Sequence, residues 1–124
     1  MKQYLAGKIR NVALAGHSSS GKTTLAEALL FKSGYSDRLG RVADGNTVCD
    51  FDPEEIRRKG SVSSTVAPFA WGSTKINLID TPGLFDFEGG MYEGVIAAES
   101  VLITVSARDG VEVGTEKAYQ LADR

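Results

Sequence analysis

The chain has 124 residues and nearly balanced charge, with 14 Lys and Arg against 16 Asp and Glu and a net charge of −2. Hydrophobic residues make up 42% and charged residues 24%, which is typical of a soluble globular domain and contrary to disorder. No apolar run approaches the ~18–20 residues needed to span a bilayer, the N-terminus lacks the pattern of a secretory signal, and a single cysteine excludes an internal disulfide. The mild net charge gives no support for sequence-specific nucleic-acid binding. We therefore expect a cytoplasmic protein without a membrane partner.

The first half of the chain predicts a strand, a helix and a long polar stretch. Residues 8–15 are apolar and enter a glycine-rich turn, and residues 22–31 have the spacing of a helix, with Gly34 at its C-terminal cap. Residues 35–60 are polar, with the start of a short helix at residues 52–55. A stretch of this length without strong periodicity is typical of a functional or mobile segment.

The second half predicts a hairpin and a further helix, strand and helix. Residues 63–71 and 75–79 are two strands joined by Gly72-Ser73, and Pro68 places the first of them at a sheet edge. The remaining elements are a glycine-weakened helix over residues 87–100, a β-branched strand over 101–106 and a helix over 115–124. This order favours an α/β fold with a mostly parallel sheet, one antiparallel hairpin and helices on both faces.

The turn after the first strand carries a phosphate-loop (P-loop) motif. Its sequence GHSSSGKT matches GxxxxGK[ST] in full, and it lies between a strand and a helix as that motif requires. Backbone N–H groups and the helix dipole would hold a phosphate, Lys22 would reach the β- and γ-phosphates, and the Thr23 hydroxyl would ligate Mg²⁺. The alternative is a Gly/Ser-rich turn that arose by chance. The predicted nucleotide-binding residues here are Gly16, His17, Ser18, Ser19, Ser20, Gly21, Lys22, Thr23 and Thr24.

A second motif ends the strand that begins near residue 76. The apolar run INLI is followed by Asp80 and then by Thr-Pro-Gly, which places Gly83 three residues after the carboxylate. In phosphate-loop enzymes such an aspartate helps to hold Mg²⁺, usually through water. The Gly83 N–H would face a γ-phosphate oxygen. The alternative is a strand that runs into an ordinary Pro-Gly turn.

The two motifs together resemble the G domain of translational GTPases, and most closely that of elongation factor G and its relatives. Gly-His followed by Ser-Gly-Lys-Thr-Thr is similar to the family's phosphate loop, and NLIDTPG with Asp86-Phe87 is similar to its second switch. Asp50-Phe51 stands where the family has Asp-Trp, in the first switch. The resemblance implies an elongation-factor-type role in protein biosynthesis, with GTP and Mg²⁺ as cofactors, hydrolysis of GTP, and the ribosome as partner.

The chain departs from the family pattern at three positions. Ser61 aligns with a switch threonine that ligates Mg²⁺, although a displaced glycine leaves Ser63 and Ser64 as alternatives. The resemblance therefore implies Thr23, Ser61 and Asp80 as metal ligands. Ser19 replaces an aspartate of the phosphate loop, and Leu84 replaces the histidine that orients the attacking water. No residue is therefore assigned as catalytic.

The guanine-specificity motif Asn-Lys-x-Asp does not occur in the sequence. We therefore expect residues 1–124 to be the N-terminal portion of a G domain, with the rest of that domain and later domains absent, and with little or no activity as an isolated fragment. An unpaired edge at the strand over residues 101–106 predicts self-association. Two other hypotheses remain open: a phosphate-loop regulatory module with little or no turnover, and a folding unit without nucleotide function.

Overall fold

The computed structural model describes residues 3–124. Three short 3₁₀ turns, Ala6–Lys8, Val42–Asp44 and Phe85–Phe87, accompany the strands and helices. The strands and helices are β1 Ile9–Gly16, α1 Lys22–Lys32, α2 Pro53–Arg58, β2 Thr65–Trp71, β3 Thr74–Asp80, α3 Glu88–Ala97, β4 Ser100–Thr104 and α4 Val113–Ala122. No helix in the described part of the chain is long and apolar enough to cross a membrane.

The four strands form one sheet in the order β2-β3-β1-β4. β1 runs parallel to both of its neighbours, β3 and β4, whereas β2 and β3 are antiparallel and joined by the tight turn at Gly72. Within the described residues β2 pairs with β3 alone, so Pro68 lies on an edge strand as predicted. The predicted fold class, a mostly parallel sheet with one antiparallel hairpin, is confirmed.

Helices cover both faces of this sheet. Successive residues of β1 point to opposite faces, and both sets are apolar in the second half of the strand, so each face needs a cover. Leu14 is fully buried and belongs to a core that includes Ala26 and Leu30 of α1. Its neighbour Ala15 is also fully buried and belongs to a second core, with Met91 of α3 and residues of α4. The central strand is thus apolar throughout its second half, and its carboxyl end leads directly into the phosphate loop.

Four of the predicted elements need corrected boundaries. The strand predicted over residues 63–71 begins at Thr65. The strand predicted over residues 101–106 spans Ser100–Thr104, because Ser106 begins a turn in which the Gly110 N–H donates to its carbonyl at 2.8 Å. The helix predicted over residues 115–124 begins at Val113, because Glu112 and Thr115 cap each other reciprocally. The helix predicted over residues 87–100 is the shorter α3.

Candidate functional site

A cleft of about 240 Å³ lies at the carboxyl end of β1 and β3, where ligands of open α/β sheets bind. Its walls come from the phosphate loop, the first turn of α1, the turn after β3, and the polar stretch before β2. Seven predicted nucleotide-binding residues line it: Ser18, Ser19, Gly21, Lys22, Thr23, Thr24 and Gly83. The other lining residues are Val42, Asp50, Lys59, Gly60, Ser61 and Leu84.

The loop depends on glycine at its two ends. Gly16 has a φ of 141°, and a Cβ added there would lie 2.5 Å from the carbonyl oxygen of Thr104 in the neighbouring strand. Gly21 has a φ of 96° and precedes the first residue of α1. Both conformations strain an L side chain, so the motif's two glycines are required by the backbone itself.

Lys22 is buried between the loop and the turn that follows β3. Its Nζ donates to the carbonyl oxygens of Gly16 at 3.1 Å and His17 at 2.7 Å. A Cβ added at Gly83 would lie 2.3 Å from this Nζ, so the turn passes directly over the ammonium. Burial lowers the pKa of Lys22, while the charges of Asp80 and Asp50 act in the opposite direction.

Four of the predicted residues do not line the cleft, namely Gly16, His17, Ser20 and Asp80. The His17 side chain turns away from the cleft: its Nδ1 accepts the N–H of Gly114 at 3.1 Å, and its Nε2 lies 3.4 Å from Glu112. The Ser20 hydroxyl donates to the His17 carbonyl at 2.7 Å. These side chains brace the phosphate loop against the fold and leave its backbone to face the cleft.

A row of hydroxyls and carboxylates forms one side of the site. The Thr23 Oγ1 donates to Asp80 Oδ2 at 2.7 Å and lies 3.2 Å from the hydroxyl of Ser61. Ser61 in turn donates to Asp50 Oδ1 at 2.6 Å. The second oxygens, Asp50 Oδ2 and Asp80 Oδ1, are buried without a hydrogen-bond partner. Residues that are 57 positions apart in the chain, Thr23 and Asp80, thus meet as the sequence motifs predict.

Burial of these two carboxyl groups is unfavourable for their charge. Burial raises the pKa of Asp80 to about 7, although the hydrogen bond from Thr23 acts against this shift. Burial also raises the pKa of Asp50, against the hydrogen bond from Ser61. Two buried carboxylates, each with an oxygen that lacks a donor, fit a hard cation with oxygen ligands. Residues 3–124 hold no cluster of three or more His, Cys, Asp or Glu that could bind a metal.

The structure distinguishes among the three serines considered at the first switch. Ser61 lies beside Thr23, whereas the Ser63 hydroxyl donates to Glu55 at 3.4 Å and the Ser64 hydroxyl donates to the Gly90 carbonyl at 2.6 Å. Only Ser61 of these three contacts the phosphate-loop threonine. Its alignment with the family's switch threonine therefore agrees with the geometry.

Asp50 is the site residue to which sequence reasoning gave no role. It is 4% exposed, lines the cleft and accepts from Ser61. The available signal was its place at the Asp-Trp position of the resembled family, but an aspartate in a polar stretch is otherwise indistinguishable from a solvated one. Leu84 also lines the cleft, with 38% of its surface exposed, and offers neither a donor nor an acceptor.

The strand–loop–helix, the buried lysine and the Thr–Asp contact define a phosphate-loop nucleotide-binding domain of the α/β class. The chain belongs to the family described as the elongation factor Tu GTP binding domain, whose model matches residues 7–124. Membership of this family implies guanine-nucleotide binding and GTPase chemistry in general.

Individual relatives are translation factors. The chain is 46% identical over 114 residues to the elongation factor G-like protein of Mycobacterium tuberculosis. The alignment covers 92% of this chain and 16% of that protein. It is 36% identical over 123 residues to the mitochondrial ribosome-releasing factor 2 of Drosophila melanogaster. That alignment covers 99% of this chain and 17% of the relative. The chain therefore spans less than a fifth of the curated relatives it matches.

Solved structures agree with this assignment. A protein from Thermus thermophilus superposes with a TM-score of 0.92 and 45% identity, over 96% of this chain and 18% of that one. A bacterial selenocysteine-specific elongation factor superposes with a TM-score of 0.71 at 24% identity, over 98% of this chain and 18% of that one. The second likeness shows the fold alone.

Proposed function

We propose that the cleft binds GTP together with Mg²⁺, and that residues 1–124 form the N-terminal part of the G domain of a cytoplasmic translational GTPase that acts on the ribosome. The observation that carries this proposal is the meeting of the two motifs: Lys22 of the loop lies against the turn that follows β3, and Thr23 donates to Asp80, the last residue of β3. The relatives' names, an elongation factor G-like protein and a ribosome-releasing factor, support the ribosome as partner.

Each part of the cleft has a role in binding the nucleotide. The backbone N–H groups of residues 18–24 would donate to phosphate oxygens at the positive end of α1. Lys22 would exchange its two carbonyl partners for the β- and γ-phosphates, which compensate its charge far better. Gly83 would contribute its backbone N–H from the opposite wall.

The oxygen donors of Thr23, Ser61 and Asp80 would hold Mg²⁺, with Asp50 beside them. The ion, when bound, would neutralise phosphate charge and help to orient the oxygens of an in-line displacement. The chain's own residues supply the rest: Asp80 and Asp50 keep two acceptor oxygens free for a cation. Thr23 links Asp80 to the loop directly and Asp50 through the Ser61 hydroxyl.

A second candidate is a nucleotide-binding regulatory module with little or no turnover. Leu84 favours it, because the resemblance places a water-orienting histidine at this position and leucine can neither orient nor polarise water. Binding and hydrolysis therefore have to be measured separately, with turnover followed on ribosomes and without them.

The proposal is tested by calorimetric titration of the chain with GTP, with Mg²⁺ or with EDTA. We expect Mg²⁺-dependent binding that Lys22→Ala abolishes, because the phosphates lose the loop's ammonium. Lys32→Ala is the matched control, since this lysine ends the same helix and is exposed. GTP affinity that is the same in Lys22→Ala and in the native chain would contradict the assignment of the cleft.

A further inference from the structure

Glu55 is a buried acid outside the row of proposed ligands. It lies in α2, the six-residue helix Pro53–Arg58, and is only 1% exposed. Its neighbour Glu54 is only partly buried and pairs with Arg57 and Arg58 on the surface. A charged group is seldom fully buried unless hydrogen bonds or a partner compensate it.

Both oxygens of Glu55 accept hydrogen bonds from the backbone. Oε2 accepts the Asp52 N–H at 3.1 Å, which completes a capping box at the start of α2. Oε1 accepts the N–H groups of Val62 at 3.0 Å and Ser63 at 3.3 Å, and the Ser63 hydroxyl at 3.4 Å. The carboxylate thus joins the residue before α2 to the two residues that follow Ser61.

Ser61 follows a residue in the left-handed conformation at the end of α2. Lys59, the residue directly after α2, has a φ of 55°, in the left-handed region that residues other than glycine rarely adopt. Two residues later the chain presents the Ser61 hydroxyl to Asp50 at 2.6 Å and to Thr23 at 3.2 Å. The bonds from Val62 and Ser63 to Glu55 therefore fix the backbone directly after the hydroxyl-bearing residue.

We infer that Glu55 is the positioning residue for Ser61: it holds residues 60–63 so that the Ser61 hydroxyl faces the proposed cation site. The inference rests on the proposed function for what that hydroxyl binds. A carboxylate suits the task because it presents acceptors on both oxygens, and donors approach both. Glutamine would place an NH₂ group against N–H donors at one end or the other.

Glu55→Gln tests this inference, with Glu54→Gln as the matched control on the same helix. In the nucleotide-free chain, we expect amide hydrogen exchange at Val62 and Ser63 to quicken at least tenfold in Glu55→Gln and to stay unchanged in Glu54→Gln. In the presence of GTP, the apparent Mg²⁺ affinity should fall by about 10–100-fold, the usual effect of losing a group that orients a metal ligand. Native exchange rates and native Mg²⁺ affinity in folded Glu55→Gln would overturn the inference.

A double-mutant cycle separates positioning from general destabilisation. In a Ser61→Ala background, Glu55→Gln should have no further effect on Mg²⁺ affinity, although its effect on Val62 and Ser63 exchange should persist. Additive losses of Mg²⁺ affinity would overturn the inference. If Glu55→Gln does not fold, Glu55→Asp replaces it in the same measurements, since it keeps the charge and shortens the reach. A native chain that shows no Mg²⁺-dependent GTP binding would instead overturn the proposed function, while amide exchange would still decide whether Glu55 holds this segment.

Discussion

Among single residues, the buried acids are the most informative. Asp50, Asp80 and Glu27 each have one carboxylate oxygen that is buried without a hydrogen-bond partner. Lys22 is the one buried Lys or Arg among residues 3–124. A buried charge without compensation is costly, so the fold keeps these acids at the expense of stability. Such a cost is common where binding, and not folding, requires the group.

This cost predicts a pH dependence of stability. Because burial raises the pKa of Asp80 to about 7, the folded chain without a cation keeps a proton that the unfolded chain, with a pKa of about 3.9, has already released. Its thermal midpoint in EDTA should therefore fall as the pH rises from about 4 to 7 and level off above that. Asp80→Asn should flatten this pH profile. An equally steep profile in that variant would show that Asp80 is not the group whose titration lowers the stability.

Leu84 predicts slow hydrolysis with normal binding. A lost water-orienting group typically costs about 10²–10⁴-fold in rate, and Leu84 holds no phosphate. In the full-length protein proposed above, Leu84→His should raise ribosome-stimulated phosphate release at least several-fold and leave GTP affinity unchanged. Phe85→His is the control, because it places the same imidazole one residue away, outside the cleft lining. An unchanged rate in Leu84→His would show that this position does not limit catalysis.

At the level of secondary-structure elements, two carboxylates organise the polar stretch before β2. Glu55 joins α2 to the residues directly before and after that helix, and Glu27 joins the stretch to α1. The Glu27 Oε1 accepts the Val48 N–H at 2.6 Å, and a Cβ added at Gly40 would lie 2.3 Å from its Oε2. Cys49, next to Val48, is 1% exposed, and burial raises the pKa of its thiol. Slow alkylation of Cys49 therefore reports that this segment is attached to α1.

Replacement by glutamine should affect the two positions differently. Glu55→Gln should loosen residues 62 and 63, as argued above, whereas Glu27→Gln should be tolerated. Glu27→Gln keeps an acceptor for Val48 and removes a charge whose second oxygen lacks a donor, so Cys49 should stay slow to alkylate and stability should be unchanged or higher. Glu27→Ala leaves the Val48 N–H without its acceptor, which should cost about 1–3 kcal/mol and speed alkylation of Cys49. Thermal unfolding measures the change in stability, and the rate of reaction with iodoacetamide measures the accessibility of Cys49. Equal alkylation rates in Glu27→Ala and the native chain would show that Glu27 does not hold the segment.

Elements and motifs with strong local signals could be predicted from the sequence. The apolar run before GHSSSGKT, the β-branched content of β4 and the Gly72-Ser73 turn each determine local structure by themselves. The placement of Glu27, Asp50 and Glu55 could not be predicted, because a lone acid in a helix or polar stretch is ordinarily solvated. Their burial depends on where the polar stretch folds back, which is set by contacts among residues up to tens of positions apart.

For the whole molecule, the cleft is lined by the phosphate loop, and the 124 residues lack Asn-Lys-x-Asp. We therefore expect the isolated chain to bind GTP and ATP weakly and with similar affinities, since the proposed loop contacts would involve only the phosphates, which the two nucleotides share. Calorimetric titration with each nucleotide in Mg²⁺ measures this. Micromolar or tighter GTP binding with strong rejection of ATP would contradict it.

The open edge of the sheet predicts self-association of the isolated chain. Within the described residues β4 pairs with β1 alone, and Leu102 on β4 is 46% exposed. An unpaired, apolar edge can pair with another copy, whereas a lysine on the edge prevents this. Sedimentation velocity at high concentration should show dimers that Leu102→Lys removes. A native chain that stays monomeric at high concentration would refute the prediction.

The order of strands in the sheet has a consequence for the time course of folding. β1 is the first strand in the chain but lies in the interior of the sheet, with Ile9 opposite Lys75 and Val12 opposite Ser100. Its backbone N–H and C=O groups therefore stay without strand partners until residues more than sixty positions further along the chain have been synthesised. Such non-local pairing predicts folding in milliseconds to seconds, and no stable intermediate before β3 has emerged during synthesis. Until then, we expect the apolar second half of β1 to be exposed unless the exit tunnel or a chaperone covers it.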